Sequence, residues 1–122
     1  MANKFTIPDI LLVDFPPQTP ALHEQQGIRP AVLVGKPSNT GTMRFELVIV
    51  VPITTQSGNW TAQNLILYPS LQAGVGNLTA ESIVLLDQVR AVDIRRVLRY
   101  LGSLTAEEYQ PIANGLKAMF GF

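Results

Sequence analysis

Cysteine is absent from this chain, which excludes a disulfide framework and any thiolate metal site. Histidine is almost absent: the single one, His23, leaves a structural zinc centre without ligands. An excess of charge of either sign is also missing, because nine Lys and Arg balance nine Asp and Glu. The whole molecule therefore has no field to draw in polyanions, and contact with nucleic acid would need a local basic patch. Long apolar runs are lacking too. The longest, LVIVVPI at 47–53, is far short of a membrane span, and the N-terminus shows no charged region followed by an apolar run and a cleavage site. These absences predict no membrane association and a cytoplasmic protein. GVGN at 74–77 lacks the third glycine of a dinucleotide loop and reads as a turn, and no Gly-x-Ser-x-Gly elbow offers a serine nucleophile.

What the chain does have is apolar residues, 47% of its 122, with only 15% charged. That supports a single packed domain over 1–122 and argues against disorder. The apolar runs favour β-branched residues and are separated by short polar punctuation, as buried strands are. Six strands are expected: 9–15, 30–35, 45–54, 64–68, 82–92 and 97–104. Pro52, with no N–H to donate, should sit at a bulge or an unpaired edge position of the third. Asp93 can cap one helical turn, IRR, before the last strand. From Thr105 the period changes. Thr105 and Glu108 form a capping box, and Tyr109, Ile112, Leu116 and Met119 follow at helical spacing. Pro111 and Gly115 weaken that helix, so packing must hold it. The expected architecture is a small, strongly curved β-barrel with a C-terminal helix against it.

Three polar stretches could carry chemistry. In HEQQGIRP, 23–30, Gly27 permits a reversal and Pro30 biases Arg29 to extended backbone, so His23, Glu24, Gln25 and Arg29 sit in or beside a constrained loop at a strand end. Such a loop is more often plain solvated surface. In VPITTQSGN, 51–59, hydroxyls and an amide follow an apolar run where a strand should emerge; they can orient a substrate hydroxyl or a phosphate oxygen, or simply form a turn. In LLDQVRAVDIRR, 85–96, Asp87 and Gln88 interrupt an apolar strand. A carboxylate there must pair with a base such as Arg90 or lie at a wet rim. Arg90, Arg95, Arg96 and Arg99 form the local basic patch that the net charge does not promise, or else a solubilising turn.

Together and in this order, DILLVDFPP (9–17), HEQQGIRPAVLV (23–34), VPITTQ (51–56), DQVRAVDIRRV (87–97) and LGSLTAEE (101–108) resemble the MazF/Kid/PemK family of toxin–antitoxin endoribonucleases. The resemblance covers nearly the whole chain. It implies an SH3-like barrel that forms a homodimer, cuts single-stranded RNA without metal or other cofactor, and arrests growth by cleaving RNA at short sequences. It also implies a cognate antitoxin whose C-terminal segment lies over the RNA-binding groove. The family's arginine falls on Arg29, its threonine on Thr54, its loop histidine on His23 and its strand carboxylate on Asp87. Glu24, Gln25, Gln56 and Gln88 match groove-lining positions, and Trp60, in the loop beyond the threonines, is a possible stacking platform for a base. Two departures stand out. Pro8 occupies a position usually held by glycine, and Leu85 stands where some members have a second catalytic arginine, which puts more of the work on Arg29.

RNA carries its own nucleophile, the 2′-hydroxyl, so such a protein needs to orient that group, move protons and neutralise charge on phosphorus-bound oxygens. Arg29 would grip the phosphate, Thr54 would position an oxygen, and His23 and Asp87 would serve proton transfer, with Glu24 orienting the loop. Two other readings remain open at this point: a gyrase-binding toxin of the CcdB type that shares the fold and cuts no RNA, and an inert interaction module.

Overall fold

The computed structural model describes residues 4–122. Seven strands form an antiparallel sheet: β1 (Asp9–Phe15), β2 (Gly27–Gly35), β3 (Leu47–Thr54), β4 (Ser70–Leu71), β5 (Ser82–Val84), β6 (Arg90–Asp93) and β7 (Val97–Ser103). They run in the order β4-β5-β3-β2-β1-β7, with β6 also paired to β3. A four-residue helix, α1 (Asn59–Ala62), follows β3, and a long one, α2 (Ala106–Phe120), ends the chain.

The central strands read as largely apolar runs because most of their length is buried on both faces. Side chains alternate along a strand, so neighbouring residues enter different layers. Ile10, Val32, Val51 and Ile53 join Leu86 and Leu104 under Ile112 of α2, with Tyr109 and Leu116 packed against them. Leu11, Val13, Phe15, Ala31, Leu33, Val48 and Val50 point the other way. The sheet's own curl covers that face: Val92 of β6 enters the cluster, and Ile94, Val97, Phe5 and Ile7 close over it. This is the curved barrel with its C-terminal helix that the sequence predicts.

Several local expectations hold. Thr105 Oγ1 accepts from Glu108 N at 3.1 Å while Thr105 N donates to Glu108 Oε1 at 2.8 Å. The Asp93 side chain accepts from Arg95 N at 2.9 Å and starts the turn Ile94–Arg96. Residues 74–77 form a turn with two left-handed glycines. In α2, Gly115 has a packing reason to lack a side chain, since a Cβ there would lie 2.7 Å from the Ile66 carbonyl oxygen and against Leu86.

Others are corrected. Residues 64–68 are not a strand: Tyr68 N bonds back to Asn64 O at 2.9 Å, and Leu65 and Ile66 are each 71% exposed. The two-residue β4 lies just beyond instead. The stretch 82–92 is not one strand but β5, a tight 3-10 turn at Leu86–Gln88, and β6. The break falls at Pro52. β3 pairs with β6 along Leu47–Val50 and with β5 at Ile53–Thr54, and Pro52 stands in the gap, accepting from Leu85 N at 3.0 Å but giving nothing back. Met119, expected on the buried face of α2, is 38% exposed, and β2 starts at Gly27 (φ +87°) rather than at residue 30.

Candidate active site

The break in the sheet makes the site. The turn released at Leu86–Gln88 carries Asp87 out to the surface beside the end of β3, where Thr54 stands, and the loop from residue 23 passes over both. The result is a cleft of about 420 Å³ lined by His23, Gln25, Thr54, Gln56, Trp60, Tyr68, Leu85, Asp87 and Gln88. Asp87 and Gln88 also line a neighbouring cleft of about 350 Å³, with Gln18, Glu24 and Arg90. The loop alternates across the divide: His23 and Gln25 line one side and Glu24 the other.

One side chain holds that loop. The Gln88 amide accepts from Gln25 N at 2.6 Å and donates to His23 O at 3.2 Å. It thus bonds the loop backbone much as a strand neighbour would, and ties His23 and Gln25 to the turn that carries Asp87. Thr54 is buried, and its hydroxyl oxygen accepts from Gln56 N at 3.2 Å, while its proton has no acceptor among the described residues. The side-chain oxygen of Gln25 is buried and has no hydrogen-bond partner among the described residues. A buried acceptor left open at a cleft wall invites a donor from outside the chain.

Asp87 is exposed and accepts from the Tyr68 hydroxyl at 2.6 Å. That hydrogen bond, then burial and the nearby negative charge, push the Tyr68 phenol above its ordinary 10. Trp60 sits on α1 rather than in open loop, 41% exposed, with its ring at 89° to that of Tyr68 and the centroids 4.9 Å apart. Arg90 does not pair with Asp87. Its guanidinium lies over the ring of Phe15, 5.6 Å from the centroid.

Of the residues expected at the site, His23, Gln25, Thr54, Gln56, Trp60, Asp87 and Gln88 share one cleft, and Glu24 lies in the next. Arg29 lines neither. It is half-buried in β2, and its Nε donates to Gln26 O at 2.9 Å. The β2–β3 ladder ends at Ala31 against Pro52; beyond it Arg29 pairs with Val13 of β1 and Thr54 with Ile83 of β5. Tyr68 and Gln18 are members that the sequence did not single out for the site, and Arg90, named as a partner for Asp87, lines the second cleft without bonding it. Tyr68 was hidden inside an apolar segment read as strand.

A sequence model described as "PemK-like, MazF-like toxin of type II toxin-antitoxin system" matches residues 8–120. The chain belongs to this toxin family. Endoribonuclease MazF of Staphylococcus saprophyticus is 27% identical over 113 residues, 93% of this chain and 88% of that protein. Among solved structures, MazF from Deinococcus radiodurans superposes with a TM-score of 0.70 at 25% identity, covering 94% of each chain. A mycobacterial endoribonuclease in complex with its cognate antitoxin shares the family fold at TM-score 0.67 and 18% identity, covering 94% of this chain and 93% of that one. Among the described residues no helix is long and apolar enough to cross a membrane, and no group of three or more His, Asp and Glu side chains converges.

Proposed function

We propose that this chain is a toxin endoribonuclease that cleaves single-stranded RNA through the substrate's own 2′-hydroxyl, acting as a homodimer in the cytoplasm and neutralised by a cognate antitoxin. The observation that carries the reading is the meeting of Thr54, His23 and Asp87 in one cleft.

The chemistry follows from those groups. A base, His23 or Asp87, takes the proton of the 2′-hydroxyl. The freed oxygen attacks the adjacent phosphorus, and the bond from phosphorus to the 5′-oxygen breaks. A proton from the second group completes the leaving 5′-hydroxyl, and a 2′,3′-cyclic phosphate stays on the other fragment. Charge grows on the non-bridging oxygens as the attack proceeds. Arg29 answers it with a planar fork; its terminal nitrogens have no bonded partner among the described residues, because only Nε is engaged. Thr54 fixes the attacking hydroxyl or a phosphate oxygen. Gln25, Gln56 and Glu24 read the flanking nucleotides by their edges, and unpaired bases are the targets that such a groove can reach. No step calls for a protein nucleophile or a metal.

The test is a digest of a long single-stranded RNA by the purified chain, with and without chelator, and with fragment ends mapped. Discrete fragments ending in 2′,3′-cyclic phosphate and 5′-hydroxyl, unchanged by chelator, are expected. Intact RNA would leave the fold with another target, as in a gyrase-binding toxin. Cleavage lost on chelation would remove the metal-free mechanism.

A further inference from the structure

Tyr68 has no part in the mechanism above, yet it makes the one side-chain hydrogen bond that Asp87 receives among the described residues. A carboxylate on an exposed turn is free to rotate, and a proton-transfer group placed an ångström away from its mark loses much of its effect. Two of its neighbours in these clefts are already committed. Arg90 lies over Phe15, and the Gln88 amide holds the loop. Tyr68 bonds Oδ2 of Asp87, and no protein group among the described residues bonds Oδ1. Trp60 meets the Tyr68 ring at right angles, and both line the cleft with His23 and Thr54. The Tyr68 ring is thereby held on one side while its hydroxyl is spent on the carboxylate.

We propose that Tyr68 is a positioning residue of this site, fixing the Asp87 carboxylate through Oδ2 so that Oδ1 is offered to the RNA, and that Trp60 serves to brace the Tyr68 ring. The proposal rests on the ribonuclease reading given above. It does not make Tyr68 a catalytic residue: its proton points at Asp87, and its effect reaches the substrate only through that group.

Two measurements separate this proposal from the reading it rests on. The first uses the full chain without RNA. Trp60 is the one tryptophan, and an ionised phenol in ring contact quenches its emission. An alkaline titration of that emission should show Tyr68 losing its proton above the ordinary tyrosine range, and Asp87→Asn should bring the midpoint back towards it. An unchanged midpoint in Asp87→Asn overturns the pairing whether or not the protein cuts RNA.

The second measurement is kinetic. Tyr68→Phe keeps the ring and its contact with Trp60 and removes only the hydroxyl. It should lower kcat by roughly tenfold or more while KM stays within about twofold. In an Asp87→Asn background the same change should do almost nothing further to the residual rate, because its route to the substrate is already gone. Full activity in Tyr68→Phe, or an equal loss with Asp87 already replaced, overturns the positioning role and leaves the nuclease reading intact. A wild-type chain that leaves RNA uncut overturns that reading and this role together.

Discussion

Two clefts of nearly equal size differ in almost everything else. One, of about 440 Å³, runs between residues 63–67 and the last turns of α2, and Leu65, Ile66, Leu67, Ala118 and Met119 give it an apolar lining. The other, of about 420 Å³, gathers an imidazole, a carboxylate, a phenol, an indole, a hydroxyl and three amides. Size does not tell them apart. Among the described residues the second has bonding capacity left over, in the open acceptor of Gln25 and the unbonded oxygen of Asp87. The first is set by the close seating of α2, where Gly115 lets the helix approach the Ile66 carbonyl. Substitutions around the polar cleft should therefore change chemistry and leave folding alone, and those around the apolar one should do the reverse.

The largest effect expected is at Arg29. Arg29→Ala should cut RNA cleavage by about a thousandfold, some 4 kcal/mol of lost transition-state stabilisation, with the thermal midpoint nearly unchanged. Single-turnover cleavage alongside a melting curve checks both halves, and an active variant would remove the guanidinium from the mechanism. Gly115→Ala sharpens the contrast from the other side. The new methyl meets a backbone carbonyl that cannot turn aside, so stability should fall by about 2 kcal/mol in denaturant titration, while cleavage by the folded fraction persists. Loss of cleavage at full stability would show that the two clefts are coupled.

The smallest effect lies far from both. Arg95, bonded through its side chain and its backbone, holds the Asp93 carboxyl at about 2 instead of the usual 3.8. A depressed carboxylate contributes stability that is whole above the unfolded value and is lost as pH falls through the folded one. Asp93→Asn keeps a capping oxygen but removes the charge. Its small deficit in melting temperature should therefore shrink between pH 3.8 and about 2. A deficit constant across that window would show that the charge does nothing. The pair is exposed, so cleavage should not respond at all.

What could be read from the sequence followed how strongly each residue's setting constrains it. β1, β3 and the later part of β2 were legible because burial on both faces favours apolar side chains at most of their positions. The capping box of α2 and the Asp93 turn were legible because a few neighbouring residues decide them. Residues 64–68 misled because Leu65 and Ile66 carry strand-like chemistry on an exposed turn, where nothing in their own spacing reveals the exposure. Membership of the polar cleft was largely foreseen through the family resemblance. The three bonds that organise it were not. Gln88 reaches back to residues 23 and 25, and Tyr68 reaches forward to Asp87, and side-chain bonds across such separations leave no local pattern.

Surplus length on one side of a ladder shows here how a packed sheet makes room for chemistry. Between the pairs Val50–Arg90 and Ile53–Val84, two residues of β3 face five on the opposite run, so the extra three cannot lie flat and are thrown outward with the acid among them. Pro52, having no proton to give, asks nothing of them there. A mismatch in count, not a special side chain, thus sets a reactive group at the rim of an otherwise solid interior.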